Sequence, residues 1–292
     1  MNLTGEITAQ IFHARKLNGP EPTSAYLQSL RPALASLRQS YRTKSISVDY
    51  SNHELQEVYL LAYFPHHFEL IEAILRDHAS RLPQGGLNVT CFGGGPLPEL
   101  YGILKFLEDG KVSRPSIDLG IFDLHAETWS YSHSLLDPLF KKNFPLNSHY
   151  RIARHNFDLR DKNDVFRKTA PTYRDIWKAT NLVIFQNFLS ETDRGTDVVK
   201  NLLHLINDWV TNKGCLIAFI DLQSYRIESV FGDLQKQLKK YQLVSETSDL
   251  KSGRARSSAE PAEILKQNFY SDSLKLWPKR KIDYCYFTAI RS

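Results

Sequence analysis

Residues 91–100 read CFGGGPLPEL, three consecutive glycines closed by Pro96 between a strand-like run, LNVTCF, and a helical pattern. Where a strand turns into a helix, backbone N–H groups and the helix N-terminus can meet a ligand. A Cβ would block that approach, so Gly93, Gly94 and Gly95 suit it, and Pro96 suits the first turn of a helix. A P-loop would need Lys followed by Ser or Thr, and a G-x-G-x-x-G fingerprint would need glycine where Pro98 stands. That leaves a different ligand, or a tight turn with none.

Further side chains could share that chemistry. Asp123 ends the run SIDLGIFD, where a carboxylate can accept from ribose hydroxyls or cap the following helix. HNFDLRD offers Asp158 and Asp161. NLVIFQNFLSE ends an apolar run on Gln186, Asn187 and Phe188. In YFPHHF, His66 or His67 could act as a general base, although neither has an evident carboxylate partner. Tyr63, Phe64 and Phe68 beside them fit a lid over the glycines or helix packing around Pro65.

These residues are set on a clear order of elements. The first eighty residues read as helices: GEITAQIFHARKL puts Ile7, Ile11 and Ala14 on one face, and Leu27, Leu30, Leu34 and Leu37 recur at helical spacing around a break at Pro32. Ser51 and Glu54 form a capping-box pattern, and Pro65 interrupts the helix that they open. From residue 87, five strand runs alternate with helical patterns, the one after HYRIARHNF being a short helix from Arg160. QLVSET and KIDYCYFTAI then close the chain with no evident helix between them. This order predicts a doubly wound α/β fold: a seven-stranded, mostly parallel sheet with an antiparallel last strand, preceded by a helical N-terminal region. The boundary falls at residue 80, giving a helical region 1–80 and a Rossmann-like domain 81–292.

Composition is that of an ordinary globular protein. No apolar run approaches the roughly 18 residues of a membrane span, and the N-terminus lacks a signal peptide's apolar core. Cys91, Cys215 and Cys285 are far apart in apolar runs, as buried thiols in a reducing cytoplasm would be, rather than a disulfide framework or a metal site. The net charge of +5 is uneven: +3 over residues 1–50, +5 over residues 251–292, and about −3 between. The ends could face a polyanion or simply water. In KLWPKRKIDY, Trp277 could stack on a base while Lys275, Lys279, Arg280 and Lys281 hold phosphates, or the stretch could be an exposed loop.

Five strand–helix units, the glycine turn and the closing strand pair together resemble the class I S-adenosylmethionine-dependent methyltransferases over residues 60–292. The resemblance implies S-adenosylmethionine as cofactor. It implies Gly93, Gly94 and Gly95 around its amino-acid portion, Asp123 on its ribose, and Asp158 (or Asp161) with the Leu159 amide on its adenine. Gln186, Asn187 and Phe188 would border the methyl group and the acceptor, and beside them His67 is the candidate base and Tyr63 and Phe64 the candidate lid over the cofactor. In one departure, Cys91 stands where the family usually has Asp or Glu two residues before the first glycine. Glu99 could contribute from the helix or be a surface acid. LLAYFPHHFELIEAIL and DLHAETW also resemble RNA methyltransferases, including the eukaryotic large-subunit rRNA uridine-N3 enzymes, and mitochondrial small-ribosomal-subunit assembly factors. With the basic ends, this favours RNA as acceptor. A small-molecule acceptor, or an inactive binding module encouraged by Cys91, are the alternatives. There is no N-P-P-Y stretch for exocyclic amines and no placed cysteine nucleophile for pyrimidine C5, which leaves direct transfer.

Overall fold

The computed structural model describes residues 2–41, 48–161, 163, 171–191, 196–272, 274–278 and 280–292. Strands β1 (Leu87–Phe92), β2 (Ile117–Asp123), β3 (Tyr150–Asn156), β4 (Leu182–Gln186) and β5 (Leu216–Leu222) are parallel in the order β3-β2-β1-β4-β5. Both faces of β1, β4 and β5 are covered, hence their near-continuous apolar runs. The order reverses at β1, which is flanked by β2 and β4, and the crevice beyond the carboxyl ends of these strands is where such sheets bind ligands.

Register across the sheet is marked by one row of aromatic rings. Phe122, Phe92, Phe185, Phe219 and Phe287 face one another directly on adjacent strands, with His155 extending the row to β3. The Phe92–Phe185, Phe185–Phe219 and Phe219–Phe287 centroids lie 4.6, 4.9 and 4.6 Å apart, with planes within 15° of parallel. The residues one step earlier, Cys91, Ile121, Ile184 and Ala218, point to the opposite core, as the two-residue period requires. Slipping any strand by one residue would exchange these sets, so the row specifies register.

The antiparallel end is larger than expected. β8 (Lys281–Arg291) pairs antiparallel with β5, while β6 (Val244–Thr247) and β7 (Lys251–Arg256) both pair antiparallel with β8, making eight strands. The stretch KSGRARSS, between the two closing strand runs, thus opens as a further strand. Its polarity hides it, because it is held by backbone pairing and by Arg254 Nε to the facing Asp283 at 2.5 Å, not by apolar burial.

Helices α1 (Leu3–Ala14), α2 (Pro20–Ser29), α3 (Arg31–Ser40), α4 (His53–Ala62) and α5 (Phe64–Asp77) pack on the same face as α6 (Pro98–Asp109) and α7 (Ser130–Asn143). α8 (Pro171–Ala179), α10 (Thr196–Asp208) and α11 (Tyr225–Lys240) cover the other face, while α9 (Phe188–Glu191) and α12 (Glu263–Asn268) are short. The short helix expected from Arg160 lies largely outside the described residues. Ile7, Leu34, Leu61 and Leu75 share one buried cluster with Leu87, Ile121 and Leu182, so residue 80 marks a change of element type within a common core. The breaks at Pro32 and Pro65 fall as expected, but Ala14 is exposed, and the cap of α4 is Asn52, whose side chain accepts from the Glu54 amide at 2.8 Å. α1 is tied to a distant segment: Thr4 Oγ1 donates to the Glu260 carbonyl at 2.7 Å and accepts from the Ala262 amide at 2.8 Å. All three cysteines are buried free thiols, and no helix among the described residues is long and apolar enough to cross a membrane.

His66 is a core residue, 2% exposed, with Nδ1 2.7 Å from Ser257 Oγ, so the role of base considered for it does not fit its position. Burial pushes its pKa from 6.5 down to about 3, with His67 and Arg280 adding in the same direction. The unfolded chain therefore takes up a proton that the folded one refuses. The stability at stake is fully present above pH 6.5 and falls as pH drops toward 3. Between pH 7.5 and pH 5 the wild type should lose about 2 kcal/mol through this group. Urea denaturation of His66→Gln at both pH values should show a loss smaller by about that amount.

Candidate active site

A cleft of about 530 Å³ opens at the reversal point. Gly93, Gly94, Gly95, Asp123, Asp158, Leu159, Gln186, Asn187, Phe188 and His67, drawn from four strand ends and α5, all line it. The aromatic row explains the convergence. Gly93, Asp123 and Gln186 each directly follow a ring of the row, so the first residues beyond the rings arrive at one level.

The loop after β1 has a demanding backbone. Gly93, Gly95 and Leu97 have φ of 69°, 41° and 69°, in the left-handed region that only glycine enters without strain. α6 begins at Pro98, so the proline of its first turn is Pro98 rather than Pro96. A Cβ on Gly93 would lie 2.8 Å from Phe188 Cδ2, one on Gly94 would lie 3.1 Å from Cys91 Cβ, and one on Gly95 would lie 3.6 Å from the Trp129 ring. The glycine run thus lets the backbone itself become the wall of the cleft, packed against three side chains.

The loop is bonded at several points. Gly93 N–H donates to the Phe122 carbonyl at 2.9 Å, and Gly95 N–H donates to Asp123 Oδ2 at 3.2 Å. Asp123 Oδ1 accepts from the His125 amide at 2.7 Å, so this carboxylate ties the loop and caps its own turn while lining the cleft. Burial raises its pKa against the pull of those donors. On the far side, Arg154 Nε donates to His133 Nδ1 at 2.8 Å, and His133 Nε2 lies 3.0 Å from the Gly95 carbonyl. A nitrogen that accepts from a guanidinium carries no proton, so the imidazole proton is on Nε2 and donates to Gly95. Burial holds His133 neutral, its pKa lowered to about 4.

At the end of β4, Gln186 Nε2 donates to the His67 carbonyl at 3.2 Å, and Asn187 Nδ2 lies 3.3 Å from His67 Nδ1. Asn187 thus meets the His67 imidazole at hydrogen-bond distance, and the His67 tautomer sets which of the two donates. Asn187 holds φ of 55°. Gln186 Oε1 and Asn187 Oδ1 are buried with no hydrogen-bond partner among the described residues. Buried amide oxygens without partners are uncommon, and each calls for a donor, whether water or a ligand.

Other expected residues lie elsewhere. Phe64 is fully buried against Tyr101 and Phe140, and Phe68 packs on Tyr101, so neither closes over the cleft. Tyr63 does not line the cleft but stacks on Tyr59, which does. Asp158 lines it in preference to Asp161, with Oδ1 2.8 Å from Arg160 Nε and Oδ2 2.8 Å from Arg160 Nη2. Glu99, 2% exposed, is a buried acid on the cleft wall rather than a surface one. In the basic segment, Arg280 is paired with Glu260 at 2.5 Å, and Trp277, 39% exposed, stacks on Tyr270. Arg38 donates to the carbonyls of Lys275 and Trp277, and Lys281 is exposed. Lys279 lies outside the described residues.

Sequence inspection did not reach the aromatic wall formed by Tyr41, Tyr50, Tyr59 and Trp129. Its one periodic trace is Tyr59, Tyr63 and His67 at four-residue spacing. Among the described lining residues, Asp49, Glu99, Asp123 and Asp158 face a single guanidinium, Arg160, so the cleft favours a cationic ligand over a polyanion.

Fold and cleft together define a Rossmann-like α/β protein with a ligand crevice at the reversal of strand order. No protein-family model and no curated protein matches the sequence. Among solved structures, the citrinin polyketide synthase CMeT domain is similar at 14% identity and a TM-score of 0.45, covering 94% of this chain and 70% of that one. The plantazolicin methyltransferase BpumL, in complex with SAH, is similar at 15% identity and a TM-score of 0.40, covering 92% and 98%. Magnesium protoporphyrin IX methyltransferase (ChlM) from Synechocystis PCC 6803, with bound SAM, is similar at 10% identity and a TM-score of 0.41, covering 91% and 97%. Likeness this loose carries no functional weight, and the cleft's own residues decide its chemistry.

The Gly93 contact is directly testable. Gly93→Ala should cost about 1–3 kcal/mol in chemical denaturation, from left-handed strain plus the Phe188 clash. In a Phe188→Ala background only the strain remains, so the cost should shrink to about 1 kcal/mol.

Proposed function

We propose that this chain is an S-adenosylmethionine-dependent methyltransferase. One observation carries the proposal: the glycine wall after β1, a carboxylate ending β2, a carboxylate after β3 and two unpartnered amide oxygens ending β4 line a single acid-rich cleft. Those groups suit the parts of that cofactor. Asp123 would hold ribose hydroxyls, Asp158 and the Leu159 backbone the adenine, and the glycine loop the amino-acid portion. The carboxylates complement a molecule with two cationic centres. When bound, the cofactor supplies a methyl carbon already activated by its sulfonium leaving group. The chain's residues bind, align and exclude water. Gln186 Oε1 and Asn187 Oδ1 receive an O–H or N–H of the acceptor, and His67, at the same end of the cleft, is the candidate base. Buried Glu99, close to the Gly94 backbone, supports a carboxylate beside the loop despite Cys91.

RNA is the acceptor class supported by the basic ends, through Lys275, Trp277 and Lys281 with Lys279. Arg280, held by Glu260, contributes less free charge.

Calorimetric titration should show binding of S-adenosylmethionine and its demethylated product, and none of NAD. Asp123→Ala should weaken binding by about 1–3 kcal/mol, whereas unchanged affinity would remove Asp123 from the site. In filter binding across a salt series, neutralising Lys275, Lys279, Arg280 and Lys281 should flatten the log–log slope by about 0.7 for each single-strand phosphate released. A slope equal to the parent's would leave these as ordinary surface charges and favour a small-molecule acceptor. Cofactor binding without methyl transfer to any acceptor would mark an inactive binding module.

A further inference from the structure

We infer that the acceptor is a planar aromatic ring bearing an O–H or N–H, seated against the aromatic wall that the N-terminal region raises over the cleft. This rests on the methyltransferase proposal and names the substrate of the same site.

The wall is continuous and curved. Tyr50 lies 4.4 Å from Trp129 with planes at 36°, and Tyr59 meets Trp129 at 5.6 Å and 69°. Tyr59 stacks on Tyr63 at 5.3 Å and 28°, and Tyr63 meets His67 edge-on at 6.3 Å. Aromatic surface lining the cleft therefore runs through Tyr50, Tyr59 and the ring beside Gly95, while Tyr63, outside the lining, backs Tyr59 toward the imidazole beside Asn187. A ring stacked along that path carries its own O–H or N–H toward Gln186 and Asn187.

The wall is also held in place before any ligand arrives. Gln56, fully buried, donates to the Tyr50 carbonyl at 2.7 Å and the Thr128 carbonyl at 2.6 Å. Its Oε1 accepts from the Ser132 amide at 3.1 Å and from the Ser132 hydroxyl at 2.7 Å. One amide thus fixes the two segments that carry Tyr50 and Trp129, and the Tyr41 and Tyr50 hydroxyls bond at 2.7 Å. Trp129 is 2% exposed and packs against Tyr50, so Tyr41, Tyr50 and Tyr59 present the surface, and rings held rigid in this way favour a flat partner. The acidic lining keeps phosphate out of the interior, so a nucleobase could enter only with its backbone outside.

The experiment titrates the whole chain, with saturating S-adenosylhomocysteine, by tryptophan fluorescence and calorimetry. The probes are 2-naphthol, decahydro-2-naphthol, choline, adenosine and a short single-stranded RNA. We expect 2-naphthol to bind at least fivefold tighter than its saturated counterpart, the lower end of what stacking contributes. Tyr59→Leu should lower that affinity at least fivefold and Tyr59→Phe less than twofold, each measured with S-adenosylhomocysteine at saturation for that variant. Adenosine and RNA binding alongside 2-naphthol would identify the ring's source as a nucleobase, and 2-naphthol alone a free aromatic, each supporting the proposal. Equal affinity for the two naphthols, or tighter binding of choline, would overturn it, and the wild-type comparison decides this even if Tyr59→Leu fails to fold. Failure of S-adenosylhomocysteine itself to bind would instead overturn the methyltransferase proposal.

Discussion

The site depends on the stacked phenylalanines of the sheet. Phe92, Phe122 and Phe185 occupy equivalent levels on three neighbouring strands, and each is followed at once by a cleft residue: Gly93, Asp123 and Gln186. Ring packing on one face therefore aligns polar groups that project on the other. The coupling follows from the two-residue period of a strand and requires no contact between rings and ligand. Side chains far apart in sequence share a cleft because their strands share a register.

A second constraint acts where the chain leaves β1. Three left-handed residues in five bring the backbone against Phe188, Cys91 and Trp129, and its bonds to Phe122 and Asp123 and from His133 hold it there. Asp123 serves both the turn and the cleft, so its role as cap and any role toward a ligand are not alternatives. One carboxylate has lone pairs for both. Arg154, on the edge strand, fixes the tautomer of His133 and so reaches the loop without touching it.

Much of this was legible in the sequence, and the exceptions share a cause. Alternating apolar runs disclosed all seven expected strands, and the residue types at their ends disclosed the cleft-lining glycines, acids and amides. β7 was missed because its alternation is polar, with Arg254 opposite Asp283 where an apolar pair would have been visible. The capping residue of α4 is Asn52 rather than Ser51, one position apart and equally competent, so only the backbone decides. Phe64 and Tyr63 are adjacent, yet one is core and the other backs the wall by stacking on Tyr59. That distinction depends on the turn at Pro65, which composition does not determine. The wall itself comes from four separate places, and its ordering by Gln56 is a tertiary fact with no local signature.

The bond between Thr4 and the segment at Glu260 and Ala262 has a temporal consequence. During synthesis the first helix emerges some 250 residues before its partner, and β8, which lies between β5 and the β6–β7 edge, comes later still. The early helices can form locally and pack on α4 and α7, but the bonds from Thr4 must wait for the chain to return. Long-range closure of this kind slows folding and prolongs exposure of unpaired strands. The cleft's lining runs from Tyr41 to Phe188, so all of its residues have emerged well before that closure can form.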